Sequence, residues 1–401
     1  MPATEYQGSS SSFSSFGRSL LSRSRDSPAH PAAMLPSAGD ADVEAFQRHM
    51  AATLADLGDG EGFLSVAWIR RLLEAFLRCQ EEFGVVVAQA RHRAGPQTAE
   101  KLVGEYHERA VKALDVCNAA RDGVDQVRRW GRLAGIAASV LLAQGEIHEG
   151  QLRRARKALS DLSALLVDDA SAAGSGGGVA SFLASHRNRS FGRGARASPS
   201  RSSSSSSSSS SHFRSLSWSV SRTWSAARQL QAIGSGLAAP RAHEAALAAP
   251  VYAMGCLLHL ASWTLVAAVP CPDRGAALQA HHIPTAPPRG AFPWAPPLLA
   301  LQDRLTEEGK RKDRRNSCGL LKEIHALEKC AQRLAEAIDA AAIPLDAEKE
   351  AEVREAAAEL AAVCATMKNG LEPLERQVRE VFHRIVRSRM ECFDSTMPSA
   401  V

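Results

Sequence analysis

The side chains with the clearest chemical potential form a dense basic run near residue 310. Five cations stand within six positions, with Asp313 between them: Lys310, Arg311, Lys312, Arg314 and Arg315. Positive charge at this density attracts phosphates and carboxylates, at about 1 kcal/mol per residue near an anionic membrane. The run therefore predicts a contact with anionic lipid or with an acidic partner. The alternative is an exposed helical turn that contacts nothing.

Histidines and carboxylates do not stand at the spacings that metal binding requires. His281 and His282 are neighbours in an irregular stretch, where adjacent rings rarely converge on one ion, so we expect a solvated pair. Residues 56–62 resemble a calcium loop, but alignment on the central glycine puts Ala55 and Val66 at ligand positions. We therefore expect a turn between helices there, and no metal site in the chain.

Catalytic motifs are absent from the sequence as well. It contains no Gly-x-x-x-x-Gly-Lys-Ser/Thr, no His-Glu-x-x-His and no Gly-x-Ser-x-Gly. Glu105, His107 and Glu108 lie close together, but on one helix, where we expect solvated charge. We predict a protein that is not an enzyme and that binds no cofactor, small-molecule substrate or nucleic acid, since it also lacks an aromatic platform for bases.

The composition favours a helical cytosolic protein. Of the 401 residues 45% are hydrophobic but only 5% are aromatic, and alanine and leucine are abundant. The net charge is +5, yet the stretch from Ala170 to Pro240 holds eight arginines and no Asp, Glu or Lys, so the remainder is nearly neutral. Eight scattered cysteines form no Cys-x-x-Cys pair, which indicates reduced thiols. The N-terminal stretch has no apolar core of a secretory signal.

The elements that must position these groups are helices. Apolar residues recur at 3–4 spacing over 66–87, 103–127 and 152–166, which predicts a bundle of roughly four helices in the first half. The second half repeats the pattern over 320–338, 353–367 and 371–385, with Asn369-Gly370 as the expected end of one helix. No stretch alternates with period two. The predicted fold is all-α, an antiparallel bundle with coiled-coil helices.

Changes in composition predict six regions. These are a disordered Ser-rich tail (1–40), an N-terminal bundle (41–167), a disordered basic Ser/Gly linker (168–240), a very hydrophobic helix (241–272), a Pro-rich link (273–297) and a C-terminal bundle (298–395). Within the linker, residues 216–233 interleave tryptophan, leucine and arginine. That stretch is either a loop or a short amphipathic element that docks on the bundle or on a membrane.

Two apolar features leave alternatives open. Residues 251–269 are uncharged and long enough to cross a bilayer, but a helix sheltered inside a bundle has the same composition, and His259 stands near its centre. We therefore expect a membrane protein, single-pass or peripheral on the cytosolic face, with the cytoplasm as the alternative. The final helix carries a heptad stripe that predicts a partner-helix face, with oligomeric state open: Leu371, Leu374, Val378, Val381 and Ile385.

Four blocks of sequence closely resemble the plant ROH-type proteins, relatives of the BYPASS proteins. They are MPATEYQGSSSSFSSFGRSLLS at the start, TLVAAVPCPDRGAALQAHH, RNSCGLLKEIHALEK, and GLEPLERQVREVFHRIVRSR near the end. The resemblance runs to about Arg389 and departs mainly in the Ser-rich linker. It implies a helical plant protein with one hydrophobic segment that matches 251–269, and it supplies no binding residues.

The resemblance implies a function in secretion. Some ROH-type proteins are partners of the seventy-kilodalton exocyst subunit, which brings vesicles to the plasma membrane. The expected function is therefore a non-enzymatic adaptor that binds the exocyst at the membrane and affects exocytosis and cell-wall deposition. The alternative is a membrane-resident, BYPASS-like regulator of a mobile developmental signal that does not depend on the exocyst.

Overall fold

The helices account for nearly all of the described chain. The computed structural model describes residues 38–60, 62–94, 96–172, 220, 224–241, 247–280, 292–311 and 317–394. Within these ranges there are ten helices and no strand, which confirms the all-α fold. The helices are α1 (Ala38–Asp59), α2 (Val66–Ala94), α3 (Pro96–Leu141), α4 (Glu149–Ala172), α5 (Ala226–Gly234), α6 (Ala248–Ala268), α7 (Arg274–Ala280), α8 (Ala295–Lys310), α9 (Lys322–Ala340) and α10 (Ala347–Asp394).

The first four helices follow the predicted bundle. α2 ends at Ala94, immediately before Gly95 and Pro96, a residue pair typical of a helix end. The calcium-like stretch begins in the last turn of α1, which ends at Asp59, and the expected turn follows, with Gly62 and Leu64 both at positive φ. Ser65 starts α2 by accepting a hydrogen bond from the Trp68 amide at 3.2 Å, which supplies a partner for a free amide of the first turn.

Two very long helices, α3 and α10, share the most extensive helix–helix contact. They run antiparallel, because Arg128 of α3 pairs with Glu375 of α10 at 2.6 Å, whereas Arg354 near the start of α10 donates to the Leu141 carbonyl at the end of α3 at 3.2 Å. At 1.5 Å per residue each helix is about 70 Å long.

The predicted break at Asn369-Gly370 is wrong, because α10 continues through it and keeps Pro373 inside the helix. Proline removes one helical hydrogen bond and disfavours a helical conformation at the residue before it. Packing explains why a glycine stands at this position inside the helix. A Cβ atom at Gly370 would lie 3.0 Å from Cγ1 of Val66, so the glycine allows a close approach of α10 to α2.

The hydrophobic helix α6 lies in the middle of the bundle, in contact with α1, α2, α3, α5, α7 and α8. Among the described residues it is the one helix whose length and hydropathy could span a membrane, and it is entirely enclosed by protein. Its C-terminal carbonyls are satisfied by distant backbone, as the Leu320 amide donates to Ala267 at 2.9 Å and the Leu321 amide to Ala268 at 3.2 Å. His259 is buried in the same core.

The prediction of a disordered linker up to residue 240 is wrong for its last part, because a helix, α5, docks on the bundle there. α5 buries Leu230 and Ile233 against the core. Carbonyls at its C-terminal end and just beyond it accept hydrogen bonds from α3, with Lys112 donating to Ala232 at 3.2 Å and Arg109 to Gly236 at 3.0 Å. Apolar burial and basic capping at the C-terminus both stabilise a short helix that would be marginal alone. The docked alternative is therefore the one that the structure shows.

The two predicted bundles are not separate bodies. Buried side chains from α1 to α10 belong to one continuous hydrophobic cluster, and the described residues form one compact unit. Backbone contacts join the halves as well: the Lys322 amide donates to the Leu64 carbonyl at 3.0 Å, and Glu323 accepts from the Val66 amide at 3.0 Å. The predicted boundaries at 167 and 298 therefore divide a single core.

Candidate interaction surface

The predicted basic contact is only partly within the described residues. Lys310 ends α8 and Arg311 follows it, and both are exposed. Their charges are partly offset, because Lys310 pairs with Glu307 at 3.2 Å and Arg311 with Glu308 at 3.3 Å. Exposed pairs of this kind are worth about 0–1 kcal/mol and leave the cations accessible. Lys312, Arg314 and Arg315 lie outside the described residues, so the predicted lipid or acidic-partner contact stays a prediction.

The predicted partner-helix face is in the interior of the bundle. Each of its five residues exposes 4% or less of its surface: Leu371, Leu374, Val378, Val381 and Ile385. They are part of the hydrophobic core that α10 forms with its neighbours. Heptad spacing identifies an apolar stripe but not the helix that covers it, and here the chain covers its own stripe. Of the five, only Leu371 also lines a surface groove, described below, and a partner could reach the other four only by opening the bundle.

Glu105, His107 and Glu108, which stand close together in sequence, do not form a common site. Glu105 and Glu108 are exposed on α3, as expected, but His107 exposes only 7% of its surface and its ring lies edge-on to Tyr106, with centroids 5.6 Å apart. The expectation of solvated charge is therefore wrong for His107. No group of three His, Cys, Asp or Glu side chains within the described ranges could hold a metal ion. His281 and His282 are outside those ranges.

Buried cysteine thiols are held protonated. Burial raises the pKa of Cys117 and Cys256 to about 12, and that of Cys271 likewise. Cys364 is half-buried, and burial together with the nearby Cys330 raises its pKa to about 11. Nucleophilic cysteines need a depressed pKa, so these thiols act as small apolar side chains at neutral pH.

A buried cation joins distant parts of the chain. The Arg274 guanidinium at the start of α7 donates to the Ser317 carbonyl, and the Ser317 hydroxyl donates to the Glu328 carboxylate at 3.2 Å. Burial lowers the pKa of Arg274, an effect opposed by the Cys318 and Cys271 thiols and by Glu328. We interpret this corner as a structural joint, because the arginine is enclosed by protein and binds backbone of the segment before α9.

A groove opens between the outer surfaces of α3 and α10, with a volume of about 670 Å³. We call it the α3–α10 groove. Its floor is small or apolar: Val127, Gly131 and Gly135 of α3, and Cys364, Ala365, Met367 and Leu371 of α10. Its rim is charged: Arg128, Arg132, Lys368 and Glu372. The groove therefore has the layout of a protein-binding cleft, apolar at the base and polar at the edge.

The glycines create the depth of the groove. Gly131 and Gly135 are one turn apart on α3, and a Cβ at either position would meet no atom within 4 Å. Ile136 and Leu142, near the same end of α3, expose 44% and 40% of their surfaces. Sequence reasoning missed this surface. The Gly-x-x-x-Gly spacing at 131–135 was the available signal, but only the packing reveals that it faces solvent beside another helix.

Nearly the whole chain matches one known family. A family model described as Protein ROH1-like covers residues 1–396. The chain belongs to the ROH1-like family. Among its ROH1-like relatives in Arabidopsis thaliana, Protein ROH1D is 45% identical over 414 residues, which span 98% of each chain. Protein ROH1A is 35% identical over 375 residues, which span 88% of this chain and 89% of the relative.

The ROH1-like match confirms the resemblance to plant ROH-type proteins. No solved structure matches the chain. Neither relative's name states a partner, a substrate or a location. What this ROH1-like chain binds must therefore be inferred from its own surfaces.

Proposed function

We propose that this ROH1-like protein is a non-enzymatic adaptor of plant secretion that binds the seventy-kilodalton exocyst subunit. Through that contact it affects exocytosis and cell-wall deposition. The observation that carries the proposal is the α3–α10 groove, an open cleft with an apolar floor on a bundle whose long helices otherwise bury their apolar stripes. Such a cleft suits recognition of a helix of a protein partner.

We further propose that the protein acts at the cytosolic face of the plasma membrane as a peripheral protein. Two observations support peripheral attachment over a spanning helix. α6 is enclosed by other helices, and moving it into lipid would expose the faces of α2 and α3 that pack on it. The exposed Lys310 and Arg311 begin the basic run that would contact anionic lipid.

Fractionation and co-purification from secreting plant tissue test both parts. We expect tagged protein to recover the seventy-kilodalton subunit and to leave the membrane in high salt or carbonate, because electrostatic attachment is screened by salt. A soluble tag expressed alone is the control. If no exocyst subunit is recovered, the adaptor proposal is wrong. Extraction by detergent alone together with loss of exocyst dependence would support the BYPASS-like, membrane-resident alternative.

A further inference from the structure

We propose that the α3–α10 groove binds an acidic amphipathic helix of a protein partner. This inference rests on the proposed adaptor function and assigns the surface and the chemistry of the contact. It depends on three properties of the groove: its length, its floor and the unpaired charge on its rim. Each of them limits what the occupant can be.

The length of the groove fits two turns of a helix. From Val127 to Gly135 on α3 is a rise of eight residues, or about 12 Å at 1.5 Å per residue. The groove lies between two antiparallel helices, so a third helix can lie along it. A helix of this length would present about three residues to the floor, at positions i, i+3 or i+4, and i+7.

The floor favours close approach of apolar side chains. Gly131, Gly135 and Ala365 leave space that leucine-sized side chains of an incoming helix would fill, and Met367 and Leu371 form an apolar base below them. The floor has almost no charge of its own, so it favours an apolar surface on the partner but does not favour either sign of charge. Burying apolar surface contributes about 25 cal/mol per Å², so the floor supplies affinity but little selectivity.

The rim selects a negatively charged partner. Arg128 is already neutralised within the chain, since it pairs with Asp125 at 2.8 Å and with Glu375 at 2.6 Å. In contrast, Arg132 on one side and Lys368 on the other are exposed and form no ion pair with any residue in the described part of the chain. Glu372 is the one carboxylate of the lining. Carboxylates on both flanks of an apolar stripe would complement these two cations.

Two pairs of variants distinguish effects on the groove from effects elsewhere on the bundle. Gly135→Leu fills the floor, and Gly104→Leu is its matched control, because Gly104 is also a helical glycine of α3 with open space around it but lies outside the groove. The double variant Arg132→Glu with Lys368→Glu reverses the rim. Its control, Arg154→Glu with Lys329→Glu, makes the same charge change at exposed positions outside the groove.

The binding assay uses two probes against the full-length protein. One is the purified seventy-kilodalton exocyst subunit. The other is a labelled helical peptide of about six turns, with leucine and alanine on one face and glutamate on the flanks, compared with the same peptide carrying lysine instead of glutamate. We expect the glutamate peptide to bind at least about tenfold more tightly than the lysine peptide. Gly135→Leu should weaken binding of both probes by a similar factor, rim reversal should invert the peptide preference, and both controls should bind as wild type.

The outcomes test the groove proposal and the adaptor proposal separately. If the exocyst subunit binds Gly135→Leu and rim-reversed protein as it binds wild type, the groove proposal is wrong while the adaptor function stands. If the peptides show the expected pattern and the subunit does not bind at all, the partner's identity is wrong while the groove stands. Equal binding of both peptides overturns the charge argument. A wild-type homodimer that dissociates on Gly135→Leu would identify a second copy as the occupant and overturn the proposal.

Discussion

At the residue scale, the glycines of α3 differ in their surroundings, because some face open space and Gly123 packs closely against another segment. A Cβ on Gly123 would clash with the Pro270 carbonyl and lie 2.8 Å from Cγ2 of Val269, in the connection that follows α6. We predict that Gly123→Ala lowers the free energy of unfolding by about 1–3 kcal/mol, because the backbone after α6 would have to move. Urea denaturation followed by circular dichroism measures the change.

Gly104→Ala is the matched control for that substitution. The new methyl group meets no atom within 4 Å, so only the better helix propensity of alanine counts. The free energy of unfolding should stay the same or rise by up to about 1 kcal/mol. Equal effects of the two substitutions would mean that the connection after α6 does not pack on α3 as closely as Gly123 requires.

At the element scale, periodicity predicted which stretches are helical, but not that the two predicted helices at 353–367 and 371–385 are one helix, α10. The apolar stripes of α2, α3, α4 and α9 were readable, because side chains three and four apart share one face. The continuity of α10 was not, since the chain around Gly370 carries a local stop signal and its close contact with Val66 is about 300 residues away in sequence. The groove was hidden for the same reason, because its two walls come from distant helices.

The docked helix α5 allows a prediction at this scale. Ile233→Asp puts a charge among buried side chains, so α5 should detach while the α3–α10 contact remains. We expect amide hydrogen exchange across 226–237 to accelerate at least about tenfold, with little change in α10. Gln231→Asp adds the same charge on the exposed side of α5 and should leave exchange nearly unchanged. Equal acceleration in both variants would argue that α5 is not held by its apolar face.

At the scale of the whole molecule, the helices that flank residues 173–219 of the predicted basic linker pack on the same body. α4 packs on α3 before it, and α5 packs on α3 after it. The two halves are also joined directly, through the Arg128–Glu375 pair and through the Val66 amide on Glu323. The linker therefore does not connect two independent domains, although the change in composition at residue 168 suggests it.

Cutting the chain between 173 and 219 tests this arrangement. We predict that a protein with a protease site introduced there elutes after cleavage as one species, with unchanged helicity, because the α3–α10 core holds the pieces together. The same cleavage in Leu371→Asp should release them, since that side chain exposes only 1% of its surface and a buried charge costs several kcal/mol. Pieces that separate without the substitution would show that the halves are two domains after all, and that the groove between α3 and α10 is not a fixed surface.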